Sequence, residues 1–334
     1  MKPSSDAMIV VGALAVAAFL AAQDTRQEWT LSPSREPDTV QFRITRSRPG
    51  SNSSHSSDVP VADFVGLNMN AGGAAHFEYV QDAGTLLCEG RFLLGRGSGT
   101  FQLRPNPRFV AQLNDLGYDS PSTDDIYNML FMRVSLDFAR GVRDAGLHAS
   151  TRQLIEMRIH GLTLPFIKDV RAAGFTDVTP RDLIELKIHG VSTEFIHDLK
   201  RAGYDLKTSR ITELKIHGVS SEFIRDLNAY GLKPSASDLV QLKIHGVTPE
   251  FLKSLKDAGY ENLAVNQVTE MKIHGVSPQF VREAKDLGYE FTQRELIDLK
   301  IQGVDSAYLR RLRESGIRNL TASQIVKLKI HGID

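Results

Sequence analysis

Six histidines recur at one place in a repeated phrase: His160, His189, His217, His245, His274 and His331. Imidazole ligates zinc and titrates near neutral pH, so such a row could build a metal centre or a pH sensor. Zinc, however, needs three or four donors about 2 Å from a single ion. Residues on successive packed helices lie roughly 10 Å apart and cannot converge on one ion. Gln302 fills the sixth of the seven places, which suits hydrogen bonding better than ligation. The row therefore reads as a structural surface ladder that needs no metal and no cofactor. His148 and His197 lie off it and add no ligand set.

The phrase itself reads MRIHG, LKIHG, LKIHG, LKIHG, MKIHG, LKIQG and LKIHG. It closes on Gly161, Gly190, Gly218, Gly246, Gly275, Gly303 and Gly332, spaced 29, 28, 28, 29, 28 and 29 residues apart. A period of this size predicts a solenoid, in which each unit covers the apolar face of its neighbour. In the unit from Ser192 to Gly218, Ser192 is a good N-cap, and Glu194 puts a negative charge in the first turn. Phe195, Ile196, Leu199 and Ala202 form an apolar stripe at helical spacing, and Gly203 is a left-handed stop. The second helix opens on a capping box in three copies, at Ser150-x-x-Gln153, Thr292-x-x-Glu295 and Thr321-x-x-Gln324. Leu183, Leu186 and Ile188 are read as facing inward. A lysine or arginine in the last turn meets the negative helix end. Gly190 and Val191 then form a Schellman-type stop.

A series from Phe109 through Phe138, Phe166, Phe195, Phe223, Phe251 and Phe280 to Tyr308 extends the repeat to eight helical hairpins over residues 106–334. In the first hairpin the phrase has decayed to Met129-Leu130-Phe131-Met132-Arg133. Terminal repeats are often atypical in this way. After the last helix, Ile325, Leu328 and Ile330 have no following helix to cover them, which makes them a candidate terminal interface for self-association.

Residues 1–23 carry one lysine ahead of an apolar run over residues 7–22. That pattern is an export signal or a short membrane anchor, so membrane contact is expected through residues 7–22. Residues 24–105 hold short alternating runs with glycine turns, a small antiparallel β domain whose edge the first hairpin would cover. Its Ser-rich segment 46–60 reads as a loop. The expected fold is mainly α: an α-solenoid of about eight hairpins behind a small β domain. Forty basic and forty acidic side chains balance, 9 and 10 of them before residue 106, so neither part carries a basic nucleic-acid footprint. Cys88 is the single cysteine and excludes an internal disulfide.

Helix-hairpin-helix DNA-binding modules share the hydrophobic-Gly-hydrophobic corner, which keeps backbone binding of nucleic acid as the alternative reading. Their second glycine is replaced here by Ser192, Ser220, Thr248 or Ser277, each accounted for as an N-cap. GRGSG at 95–99 lacks the GK[ST] of a phosphate loop and reads as a hairpin turn. No HExxH and no GxSxG is present, and no catalytic residue is assigned.

Together, the tandem phrase and the segment DAGTLLCEGRFLLGRGSGTFQLRPNPRFVAQLNDLGY at 82–118 resemble the extracytoplasmic tails of bacterial membrane metallopeptidases of the β-lactam-sensor, antirepressor type. The resemblance covers roughly residues 75–334 and leaves out the peptidase half. It implies an exported, periplasmic or extracellular, sensory or interaction module. The expected partner is another protein or an envelope component.

Overall fold

A computed structural model describes residues 26–333 except Pro49 and Arg318. The predicted signal or anchor over residues 1–23 lies outside the described residues. Two compact units divide the chain, one up to Ile167 and one from Lys168.

The first unit opens with seven strands: β1 (Arg26–Pro33), β2 (Thr39–Arg48), β3 (Ser51–Pro60), β4 (Phe64–Val65), β5 (Gly73–Gln81), β6 (Gly84–Leu93) and β7 (Arg96–Pro105). They form one sheet in the order β3-β2-β1-β7-β6-β5-β4, in which every neighbouring pair is antiparallel. Pairing of β1 with β7 joins Glu28 to Thr100 and Trp29 to Gly99, and so zips two local meanders together. Alternation puts Trp29, Phe42, Phe77, Tyr79 and Phe92 into an aromatic core. Trp29 meets Phe77 edge-on at 4.8 Å and donates from Nε1 to the Glu89 carbonyl at 3.1 Å. The indole needs a glycine at 90, and the strand pairing needs one at 99. A Cβ on Gly90 would meet Trp29 at 2.7 Å, and one on Gly99 would collide with the Glu89 carbonyl.

One sequence expectation fails in this sheet, and another is narrowed. Segment 46–60 is not a loop, because β3 pairs with β2 from Thr39↔Pro60 to Arg48↔Ser51. Serine is tolerated there because β3 is an edge strand that buries little beyond Val59, while β2 supplies the apolar alternation. The segment 95–99 is mostly strand; the turn itself is Leu94-Gly95, both at positive φ.

Sixteen helices of nine residues each follow among the described residues, paired as eight hairpins. Those of the first unit are α1 (Pro107–Asp115), α2 (Thr123–Phe131), α3 (Leu136–Asp144) and α4 (Thr151–Ile159). The unit division falls inside α5 (Leu164–Ala172). The first hairpin covers a face of the sheet, not its edge, because α2 packs on β6 and β7. Phe131 enters the aromatic core 5.9 Å from Phe42, and Tyr127 meets Phe101 at 6.0 Å. Buried Arg46 lies 3.6 Å over the Tyr127 ring and pairs with Asp124 at 2.8 Å. His55 stacks on Phe131 at 5.4 Å, and its pKa is lowered by burial and by the nearby Arg46 charge.

The second unit continues with α6 (Pro180–Ile188), α7 (Thr193–Arg201), α8 (Thr208–Ile216), α9 (Ser221–Ala229), α10 (Ala236–Ile244) and α11 (Pro249–Asp257). It ends with α12 (Val265–Ile273), α13 (Pro278–Asp286), α14 (Gln293–Ile301), α15 (Ser306–Glu314) and α16 (Ala322–Ile330). Even-numbered helices pack on one another in sequence from α6 to α16, and odd-numbered ones from α7 to α15. Capping boxes close the starts of α4, α14 and α16 as expected, and also those of α2, α6 and α10. Every corner glycine of the phrase sits in the left-handed region, with φ between 66 and 72°. At Gly190 the stop is a full Schellman motif: Gly190 N–H donates to the Lys187 carbonyl at 3.0 Å and Val191 N–H to that of Leu186 at 2.8 Å.

Burial corrects three inward or uncovered assignments. Ile188 is 50% exposed, because it lies two residues, about 200° of helix, from fully buried Leu186. Ile325 is fully buried, like its equivalents Leu296 and Val268, because α16 packs back on α14. Ile330 is 62% exposed, little more than the isoleucines at its place from Ile159 to Ile301, so most of its exposure is no end effect. Leu328 alone departs from its repeat. It is half-buried where Leu186, Leu214, Leu242, Met271 and Leu299 are fully buried.

Two predictions follow from these geometries. Gly246→Ala is expected to cost about 1–2 kcal/mol in denaturant melts, since a Cβ at φ 68° is strained although no neighbour blocks it. Gly246→Asn should recover part of the loss. For His55 the folded pKa lies below the unfolded one, so the unfolded chain binds the extra proton first. Stability of the first unit should therefore fall as pH drops below about 6.5, and His55→Gln should flatten that slope in thermal melts.

Candidate functional site

The corner between each even helix and the odd helix after it is where the repeated phrase lies, and its residues divide by role. Leu186 faces the core, while Val191 folds back and is 1% exposed. Ser192 caps α7 by accepting from Phe195 N–H at 3.2 Å. Ser220, Thr248 and Ser277 do the same for Phe223, Phe251 and Phe280. These side-chain oxygens already occupy amides of the kind that a backbone-binding hairpin would offer to a phosphate.

The lysines of the phrase have a partner that sequence reading missed. Lys215, Lys243, Lys272 and Lys300 place Nζ at 4.9, 4.1, 4.8 and 4.9 Å from the rings of Phe195, Phe223, Phe251 and Phe280 in their own hairpins. Lys329 stands 4.5 Å over Tyr308. In the first unit Arg158 lies over Phe138 at 5.3 Å and donates from Nε to the Met132 carbonyl that ends α2. Each cation thus holds an aromatic face. The two series run in step along the sequence, and that common period was the available signal.

Tyrosines tie successive units of the second body together. Tyr204 donates to the Pro234 carbonyl at 2.7 Å, Tyr230 to Tyr260 at 2.9 Å, and Tyr260 to Phe291. Burial raises the pKa of all three phenols. On the same side run grooves of about 580 Å³ between Phe175, Lys200 and Leu206, and about 490 Å³ between Tyr289, Phe291 and Arg313. These two grooves occupy equivalent places in the repeat, so they are gaps between neighbouring loops and not a unique built pocket.

The histidine ladder is placed one residue per corner, at the C-cap. The backbone N–H of His189, His217 and His274 donates to the carbonyl four residues back at 3.0–3.1 Å. Gln302 makes the same backbone bond at 3.2 Å, so the corner's hydrogen bond does not depend on the imidazole. Among the described residues, no group of three or more His, Cys, Asp or Glu is placed to hold a metal ion.

The isoleucine before each histidine forms the most regular exposed feature. Ile188, Ile216, Ile244, Ile273, Ile301 and Ile330 of the second unit are all between 50 and 62% exposed. Ile159 of the first unit is 54% exposed. Single exposed isoleucines are ordinary, but six in equivalent places on consecutively packed helices make one row. Three residues ahead of each, on the neighbouring helical position, stand Glu185, Glu213, Gln241, Glu270, Asp298 and Lys327.

The architecture defines a helical repeat protein with an N-terminal antiparallel sheet. No family model matches the chain, and no curated protein matches it.

Lys243→Met keeps the packing stem and removes the charge over Phe223. It should cost about 0.5–1 kcal/mol in urea melts, and the loss should vanish in a Phe223→Leu background. His217→Gln should leave the melting midpoint unchanged, because Gln302 already meets the same demand.

Proposed function

We propose that this protein is an exported, non-enzymatic repeat scaffold of the cell envelope that binds another protein along the isoleucine row of its second unit. The observation that carries this reading is the uniform exposure of six equivalent isoleucines, against equivalent leucines two residues earlier that are almost all fully buried. A side chain that repeats as Ile while half-exposed leaves much of its apolar surface uncovered by its own unit. The rest of the corner is accounted for by folding: lysines by aromatic faces, glycines by left-handed stops, and serines by caps. Export is read from the apolar run over residues 7–22 in the sequence. No helix among the described residues is long and apolar enough to cross a membrane.

A photo-crosslinking residue placed at Ile216 or Ile273 in intact cells should give a discrete protein adduct, while the same residue at exposed Glu261 should not. Absence of adducts at both isoleucines, or equal adducts at Glu261, would overturn the reading.

A further inference from the structure

Resting on the scaffold reading, we propose that the occupant of the isoleucine row is an extended, basic polypeptide segment that offers one apolar side chain at every third residue. Period and charge both argue for it. The row presents one isoleucine per unit on directly packed helices, so its repeat is the spacing of packed helices, about 8–10 Å. A polyproline-type chain has three residues per turn at 3.1 Å each, so every third side chain returns to the same face after about 9.3 Å. A β-strand turns successive side chains to opposite faces and cannot keep a three-residue period on one side. A helical partner would cover the same distance with about six residues, and its apolar stripe carries about three side chains in that length. One isoleucine per unit would leave most of that stripe uncovered.

Charge selects the polar part of the segment. Beside the isoleucines run Glu185, Glu213, Glu270 and Asp298, one per unit, broken by Gln241 and by Lys327 at the last position. Glu270 and Asp298 are exposed, while Glu185 and Glu213 carry local pairs to Arg181 and Arg210. The lysines of the phrase are drawn to the other side, over their phenylalanine rings. What the row shows outward is one isoleucine per repeat, with exposed acids beside it at Glu270 and Asp298 and ion-paired acids at Glu185 and Glu213. That pattern favours a ligand alternating apolar and cationic side chains, and it repels an anionic lipid surface.

The test uses the full chain and a fluorescent peptide of six Leu-Pro-Lys triplets, read by anisotropy at low and physiological salt. Three comparison peptides accompany it: the same composition shuffled out of period, six Leu-Pro-Glu triplets, and a helix-forming Leu/Lys heptad peptide of equal length. The triplet peptide should bind tightest and weaken as salt rises. Shuffling, the acidic version, the combined change Ile216→Ser, Ile244→Ser and Ile273→Ser, and the combined change Glu213→Gln, Glu270→Gln and Asp298→Asn should each weaken binding at least tenfold. All these positions are exposed or half-exposed, so an unchanged melting midpoint will confirm that the variants fold. Equal binding of the shuffled peptide, full binding by the serine variant, tighter binding of the heptad peptide, or isoleucine-dependent binding to phosphatidylglycerol vesicles would each overturn the proposal. Competition separates it from the broader reading. Crosslinks at Ile216 and Ile273 that the triplet peptide does not displace overturn the partner chemistry alone, whereas loss of those crosslinks in the unchallenged cell overturns both.

Discussion

The left-handed glycine at the end of every helix but α2 is the constraint on which the repeat depends. Nine residues are too few for a helix to persist alone in water, so each helix must be stopped, turned and packed at once. At Gly190 the positive φ lets two amides return to the last carbonyls, and Val191 is carried back into the core by the same bonds. Ser192 then caps α7 with no intervening linker. Because every corner repeats this geometry, equivalent side chains in the second unit fall into rows. A row of exposed isoleucines is a consequence of those identical stops as much as of the isoleucines themselves.

Polar groups in the second unit are used within hairpins and between them before any are left for a partner. Lysines of the phrase sit over phenylalanines, adding a cation–π contact to the favourable place of a cation at a helix C-terminus. Tyrosines bridge to carbonyls about one repeat further on. These contacts explain how a chain with equal numbers of acidic and basic groups still shows a patterned surface. Five lysines of the phrase are held over rings, while Glu270 and Asp298 beside the isoleucines stay at the surface.

The sheet of the first unit is organised around Trp29. The indole lies fully buried against Gly90 of β6, whose missing side chain makes room for it, while Gly99 lets β7 pack closely on β6. Phe131 and Tyr127 from α2 complete the aromatic core, and Arg46 fastens that helix to β2 through Asp124. The first hairpin is thereby as much a part of the sheet's core as of the repeat, which accounts for its decayed phrase. Arg133, where the other copies have glycine, adopts φ 53° and pairs with Asp63 at 3.0 Å.

Period, caps and stops were legible in the sequence because they are local: a glycine in the left-handed region, a serine three residues before an amide, and a stripe at helical spacing each act within one turn. The helix boundaries and the hairpin count follow from those signals without any knowledge of neighbours. Burial of particular side chains did not follow, because it depends on which helix lies alongside. Ile188 and Ile325 were each assigned to the wrong side. The helical period fixes angles between residues, but packing decides which angle faces a neighbour. The Ser-rich strand β3 escaped for the same reason. Its amino acids carry little strand preference of their own, and only the register offered by β2 makes it one. The candidate binding row is likewise a property of tertiary structure. The sequence repeats an isoleucine, and only the stacking of one helix on the next turns that repetition into a surface.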